Sequence, residues 1–305
     1  MLRYGQDEDN NSADTMVILE DDENTIRVLH YIDDMRRLRE EWREKGCSVG
    51  LVPTMGNLHR GHTSLLKTAR TENDIVVLSI LITPRLFDNQ QQYRNFPKNI
   101  DSDIKKAEAL EVDALFLPEF SAMFSKGFIS YVEPADLSLR LEGLHRPGYF
   151  RDCATSLLKL INIVEPDNAY FGQKNIQQFI VAKRMIQDLN LRTKMHCLPI
   201  VREQSGLLVS HANDGLNEEQ ARQALFVNKA LLLAEAMYQN GERSSAVILA
   251  AMEKELRKAL LGAIEYLQIV DMEHLLPMER IKSPALLAIS ISFGDMRLVD
   301  NTILK

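Results

Sequence analysis

From Ile75 to Ile82 the chain reads Ile-Val-Val-Leu-Ser-Ile-Leu-Ile, an apolar run of strand length without polar alternation. A strand that is apolar on both faces must be covered on both, as in a parallel sheet flanked by helices. The neighbouring segments support this reading. From Thr25 onward, strand-like runs alternate with helical spacing. They comprise Ile26 to Leu29, a helix from Asp33 to Lys45, Val49 to Pro53, a helix from Gly61, the Ile75 to Ile82 run, a helix from Ile100 to Glu111, and Ala114 to Pro118. This βαβ order predicts an α/β fold with a parallel sheet, in which ligands bind outside the C-terminal strand ends. Met55, Thr83-Pro84, and Gly172 after the strand-like Ala169-Tyr170-Phe171 are then expected along one edge.

Beyond Gln204 the pattern changes. Glu218 to Met237 and Ser244 to Leu260 have the spacing of long helices, and Leu267 to Asp271, Leu286 to Ser292 and Met296 to Val299 that of short strands. The expected organisation is a nucleotide-binding α/β domain over 25–202, a smaller α+β domain over 203–305, and an acidic, disordered extension over 1–24. In that extension only Met16-Val17-Ile18-Leu19 breaks the polar run.

Composition narrows the function classes. No apolar run reaches the roughly 18 residues needed to span a bilayer. The first residues carry Asp7, Glu8, Asp9 and Asp14 where an export signal needs basic and then apolar residues, so a cytoplasmic protein is expected. A formal charge of −7 argues against a nucleic-acid surface, whose affinity rests on Lys and Arg. The cysteines Cys47, Cys153 and Cys197 are odd in number and far apart, which fits reduced structural thiols rather than a disulfide framework.

Chemistry is concentrated in Pro53-Thr54-Met55-Gly56-Asn57-Leu58-His59-Arg60-Gly61-His62, at a strand-to-helix junction. Unpaired N–H groups and the dipole at a helix N-terminus attract an anion, and Gly56 and Gly61 let the backbone approach a phosphate. His59 and His62, three apart, share a helix face and can both donate to phosphate oxygens. The structural alternative is that the two rings only cap or fill the start of the helix. A zinc reading needs further ligands, and none lies near at metal spacing. His145, His196 and His211 stand alone and read as surface or satisfied core histidines.

Six dispersed segments together resemble the pantothenate synthetase (pantoate:β-alanine ligase) family. They are Val52 to His62; Pro84 with Phe87-Asp88; Leu141-Glu142-Gly143; Arg146-Pro147-Gly148 with Phe150-Arg151; Phe171-Gly172 with Lys174 and Gln177-Gln178; and Gly294 to Asn301. The resemblance runs from Thr25 to Lys305. It implies a Rossmann-like nucleotidyltransferase domain, a smaller lid-like C-terminal domain and a homodimer. It also implies ATP and Mg²⁺ as cofactors, and an acid and an amine joined through an acyl-adenylate. Met55, Gly56, His59, Gly61, His62, Gly172, Lys174 and Ser210 would then hold the nucleotide, with His59, His62 and Lys174 catalytic. Gln178, one turn after Lys174, would contact the acid. No protein-held metal site is implied.

The same resemblance exposes departures. Where the family has Asn-Pro-x-Gln-Phe, this chain has Thr83-Pro84-Arg85-Leu86-Phe87. Gly-Glu-Lys-Asp is replaced by Gly172-Gln173-Lys174-Asn175, and Ser-Ser-Arg-Asn by Ser210-His211-Ala212-Asn213. Tyr149 and Asp152 stand where a histidine and a glycine are usual. Arg85 and His211 are the candidates to replace lost charge or donors. Leu86 in place of an amide should relax the preference for pantoate. Three alternatives follow: a paralogue using a less polar acid or another amine, a noncatalytic nucleotide-binding scaffold, and, disfavoured by the acidic balance, an RNA enzyme of aminoacyl-tRNA-synthetase type.

Overall fold

The computed structural model describes residues 26–87, 90–282 and 284–305. The acidic extension, with Met16 to Leu19, and Asp88 lie outside the described residues. Along the chain run β1 (Arg27–Leu29), α1 (Ile32–Glu44), β2 (Val49–Thr54), α2 (Arg60–Glu72), β3 (Ile75–Ile80), α3 (Gln90–Asn95), α4 (Ile100–Glu108) and β4 (Ala114–Phe116). They are followed by α5 (Phe120–Met123), α6 (Glu142–His145), α7 (Tyr149–Val164), β5 (Asn168–Gly172), α8 (Ile176–Asp188) and β6 (Lys194–Leu198). The last part contains α9 (Glu218–Gln239), α10 (Ser245–Leu256), β7 (Ala263–Asp271), β8 (Ala285–Phe293) and β9 (Met296–Leu304).

The first six strands form one parallel sheet in the order β1-β4-β3-β2-β5-β6. Its strands are apolar on both faces because both faces are covered. Val49, Leu51, Val77 and Phe116 pack under α1 and α7, against Met35, Trp42, Leu160 and Val164. The alternate residues Val52, Val76, Leu78 and Leu115 pack under Leu65, Leu66 and Ala69 of α2. Each such fully buried aliphatic side chain contributes roughly 1.5–3 kcal/mol.

The remaining strands form an antiparallel sheet, β7-β8-β9. Its central strand is also sandwiched. Leu287, Ile289, Ile291 and Phe293 face α9 and α10, while Leu286 and Ala288 pack with Phe150, Ala154, Ile176 and Ile180 of α7 and α8. Charge also crosses the junction between the sheets. Arg297 on β9 binds Glu142 of α6 through Nη1 and Nη2 and Glu265 of β7 through Nε, and the Tyr266 hydroxyl donates to Glu142 at 2.6 Å.

Some elements go beyond the sequence expectation, among them α7 and β6. α7 buries residues around most of its circumference, from Phe150 and Asp152 to Ile163 and Val164, although Arg151, Thr155, Lys159 and Asn162 follow one another at helical spacing. β6, Lys-Met-His-Cys-Leu, is a short edge strand of mixed polarity.

Removing Arg297 leaves two poorly solvated carboxylates without their cation. Arg297→Ala is expected to lower unfolding free energy by about 2–3 kcal/mol, somewhat less than the roughly 3–5 kcal/mol of a fully buried pair. Urea unfolding measures it.

Candidate active site

The chain walks outward from β2 through β3 to β4, then returns to place β5 on the other side of β2. The C-terminal ends of β2 and β5 therefore flank the point where the strand order reverses, which in open α/β sheets opens a crevice. One end leads into the turn before α2, and the other into a short 3₁₀ turn, Gln173–Asn175, before α8.

The first turn contains two successive left-handed residues, Gly56 (φ 84°) and Asn57 (φ 53°). A Cβ on Gly56 would also meet Asp103 Oδ2 at 3.1 Å. The conformation is held from a distance. Asp103 on α4, fully buried, accepts from Asn57 N at 2.6 Å and Leu58 N at 2.7 Å through its two oxygens. Thr54 Oγ1 accepts from Gly56 N at 3.1 Å, and Lys106 Nζ donates to Leu58 O at 2.7 Å.

His59 is the N-cap of α2, and its Nδ1 accepts from Gly61 N at 3.1 Å. His62 Nδ1 accepts from His59 N at 3.3 Å. The capping reading thus holds. A neutral imidazole whose Nδ1 accepts carries its proton on Nε2, so each ring keeps an Nε2–H donor. The rings stack with centroids 4.1 Å apart. A Cβ at Gly61 would lie 2.8 Å from His59 Cε1 and would displace the capping ring.

Across the crevice, Lys174 Nζ donates to Ser210 Oγ at 2.7 Å. Met55, Gly56, His59, Gly61, His62, Gly172, Lys174 and Gln178 line one cavity of about 270 Å³. Ser210 lines an adjoining one of about 500 Å³, with Lys174, Asn175, Gln178 and Tyr149 shared between the two. Gly172 has ordinary backbone and open space at its Cβ position, so nothing steric demands glycine there.

The structure corrects the reading of His211 as an isolated histidine. Its ring lies 4.8 Å from that of His59, and it lines the cavity. Nε2 sits 2.5 Å from Asn57 O and Nδ1 3.1 Å from the Asn57 side-chain amide, tying the segment after Ser210 to the histidine turn. His145 and His196 lie elsewhere, beside Tyr266 and Tyr170. Arg85 does not bring its charge to the cavity: it pairs with Asp152 at 3.2 Å and lies over the rings of Phe124 and Tyr131. Gln178 Nε2 donates to Tyr149 Oη at 2.9 Å and Cys153 Sγ at 3.2 Å, a cluster that no sequence spacing announces. Gln173 pairs its amide with Asn301, donating to its Oδ1 at 3.1 Å.

The two imidazoles of α2 are held neutral. Burial, then the charges of His211 and Lys174, lower the His59 pKa to about 4. Burial, then neighbouring His59 and His211, lower His62 to about 3. Burial lowers Lys174 to about 8, partly offset by Asp300, which leaves the amine mostly protonated at neutral pH. Two neutral Nε2–H donors, a lysine ammonium and the positive end of the α2 dipole together suit an anion. No cluster of three or more His, Cys, Asp or Glu side chains that could hold a metal ion occurs among the described residues.

The Pantoate-beta-alanine ligase family model matches residues 27–303. The pantothenate synthetase of Thermotoga petrophila is 43% identical over 279 residues, covering 92% of this chain and 100% of that protein. That of Fervidobacterium nodosum is 42% identical over 280 residues, with coverages of 92% and 100%. Among solved structures, pantothenate synthetase from Thermus thermophilus superposes with a TM-score of 0.85 at 35% identity, covering 92% of this chain and 99% of that one. The pantoate-beta-alanine ligase of Francisella tularensis, complexed with beta-gamma ATP and beta-alanine, gives 0.73 at 28% identity, with coverages of 92% and 98%.

The lowered values set the pH profile of stability. Below the ordinary histidine pKa of 6.5, the unfolded chain binds protons that folded His59 and His62 refuse, so their contribution is intact above 6.5 and is lost on acidification toward about 4 and 3. For Lys174 the unfolded chain holds the extra proton between about 8 and 10.5, so stability rises with pH across that window. His59→Gln/His62→Gln should flatten the acid limb and Lys174→Met the alkaline one, read as urea midpoints from pH 4 to 10.5.

Proposed function

Since this chain belongs to the pantoate-beta-alanine ligase family, we propose that it joins pantoate to β-alanine at the expense of ATP, with the crevice between β2 and β5 as the reaction site. The observation that carries this reading is the convergence of the His59 and His62 rings, Lys174 and Gln178 on one cavity. They come from two strand ends more than a hundred residues apart, at the position where such sheets bind nucleotides.

In the first step a carboxylate oxygen of the acid bonds to the α-phosphorus of ATP as the bond to the bridging oxygen breaks and pyrophosphate leaves. In the second, the amine attacks the acyl carbon, AMP leaves and an amide forms. Phosphorus chemistry of this kind asks the protein mainly to position groups and stabilise charge. The Nε2–H groups of His59 and His62 and the α2 N-terminus receive the α-phosphate and the departing pyrophosphate, with Met55, Gly56 and Gly61 shaping the floor. Lys174, oriented by Ser210, neutralises the outer phosphates, whose negative charge favours its protonated form. Gly172 ends the strand that delivers Lys174, and Gln178 contacts the acid. Mg²⁺ would arrive on ATP, held by phosphate oxygens and water, which suits a chain that offers no carboxylate cage among its described residues.

The residues 25–202 carry the nucleotide in this reading. Those of 203–305 form the smaller lid, supported by Ser210 and His211 reaching over to Lys174 and Asn57. The reading extends to a homodimer, which the family resemblance supports and light scattering measures, and to a cytoplasmic location. Among the described residues no helix is long and apolar enough to cross a membrane.

Purified protein with ATP, Mg²⁺, pantoate and β-alanine is expected to release AMP and form the amide, identified by mass spectrometry. Lys174→Met and His62→Ala should each lower kcat/KM by about 10²–10³, the usual loss when a donor to developing charge is removed. Pantoate-dependent exchange of pyrophosphate into ATP isolates the first step.

A further inference from the structure

Every polar group of Asn57, the left-handed residue just before Leu58 and His59, has a partner. Two are met from the α4 side of the turn: Asn57 N donates to Asp103 Oδ2 at 2.6 Å, and Asn57 Oδ1 accepts from Asn99 Nδ2 at 3.4 Å. The other two are met by one side chain from the antiparallel-sheet part of the chain. His211 Nε2 lies 2.5 Å from Asn57 O, and His211 Nδ1 3.1 Å from Asn57 Nδ2. A non-glycine residue keeps a left-handed backbone (φ 53°) only where its surroundings over-determine it. Asn57 is held in this way from both sheets.

These contacts also assign the ring's protons. Facing a carbonyl, Nε2 donates; facing an amide nitrogen, Nδ1 accepts; and a ring with one donor and one acceptor is neutral. A second proton on Nδ1 would oppose the Asn57 amide hydrogens and would have to turn to Asp214 Oδ2, 3.4 Å away.

His211 is delivered by a braced turn. It opens the 3₁₀ turn His211–Gly215, where Asn213 Nδ2 donates to Leu208 O at 2.7 Å. Gly215 packs so close to Met296 of β9 that a Cβ would meet its Sδ at 2.5 Å. The turn therefore moves with β9, and its histidine ring ends 4.8 Å from that of His59.

With its catalytic part resting on the ligase reading above, we infer that His211 is a positioning residue that acts as a neutral ring. By holding Asn57 it fixes the turn that aims His59 and His62, so the alignment of those donors depends on how the antiparallel sheet is seated against the parallel one. It does not supply charge to the phosphates, the role that its place on the cavity would otherwise suggest.

Three variants separate the two roles. The amide of His211→Gln can donate to Asn57 O and accept from Asn57 Nδ2 but carries no charge, whereas the guanidinium of His211→Arg carries charge and has no acceptor. In acid-dependent exchange of pyrophosphate into ATP, His211→Ala is expected to lower kcat by about tenfold to 10², the scale of a misplaced donor. His211→Gln should recover most of that loss, and His211→Arg less of it. An unimpaired His211→Ala, a His211→Gln no better than His211→Ala, or a His211→Arg better than His211→Gln overturns the inference and leaves the ligase reading intact.

If the protein binds ATP but exchanges with no acid, the ligase reading fails separately, and NMR then decides the positioning role. Nitrogen-15 spectra of the histidine rings at neutral pH should show His211 as the neutral Nε2–H tautomer. The Asn57 and Leu58 amide hydrogens, which Asp103 holds, should exchange at least about tenfold faster in His211→Ala than in His211→Gln. A doubly protonated His211, or equal exchange in the two variants, overturns the inference.

Discussion

The buried carboxylate of Asp103 is the constraint on which the site depends. Two consecutive left-handed residues at the end of β2 leave Asn57 N and Leu58 N directed inward, and an unpaired buried N–H costs about 1–3 kcal/mol. Asp103 satisfies both with its two oxygens. The turn can therefore reverse tightly enough for His59 to cap α2 and for His62 to stack beneath it. Because Asp103 comes from α4, which packs on the same sheet face as α2, the burial of that layer and the geometry of the histidines are set by one arrangement.

A second constraint is electrostatic. The rings of His59, His62 and His211 crowd together with Lys174 on one cavity, and burial lowers His59 to about 4 and His62 to about 3. A permanently charged guanidinium in place of either α2 imidazole would repel the Lys174 amine; a neutral ring does not.

The parallel sheet is legible in the sequence because its strands are apolar on both faces, and the histidine turn because Gly56, Gly61 and the helix start are local signals. The convergence of Lys174 on those histidines can be approached through the order of elements alone: once β5 returns beside β2, the two strand ends must be neighbours. Other features have no local signature. Asp103 looks like any acidic residue in the first turn of a helix, and its partners lie more than forty positions away. His211 reads as solitary until the segment after Ser210 folds back onto Asn57. α7, by contrast, is legible: Arg151, Thr155, Lys159 and Asn162 recur at helical spacing between apolar residues, a signal that the Arg146-Pro147-Gly148 turn just before it obscures. The run Ile75 to Ile82 overstates its strand by two residues, because Leu81 is buried like a strand residue while the chain is already turning.

Several departures from the family pattern are paired with one another or with neighbours in the structure. Arg85 and Asp152, far apart in sequence, meet as an ion pair of which Asp152 is almost wholly buried; either alone would leave an unmatched charge against α7. Gln173 finds the amide of Asn301, and Tyr149 finds Gln178. Substitutions in contact do not contribute independently, and removing one member of a matched pair costs more than replacing both. The altered positions 85 and 152, 173, and 149 are thus each matched by a neighbour, and their effects on stability are properties of those pairs rather than of single residues.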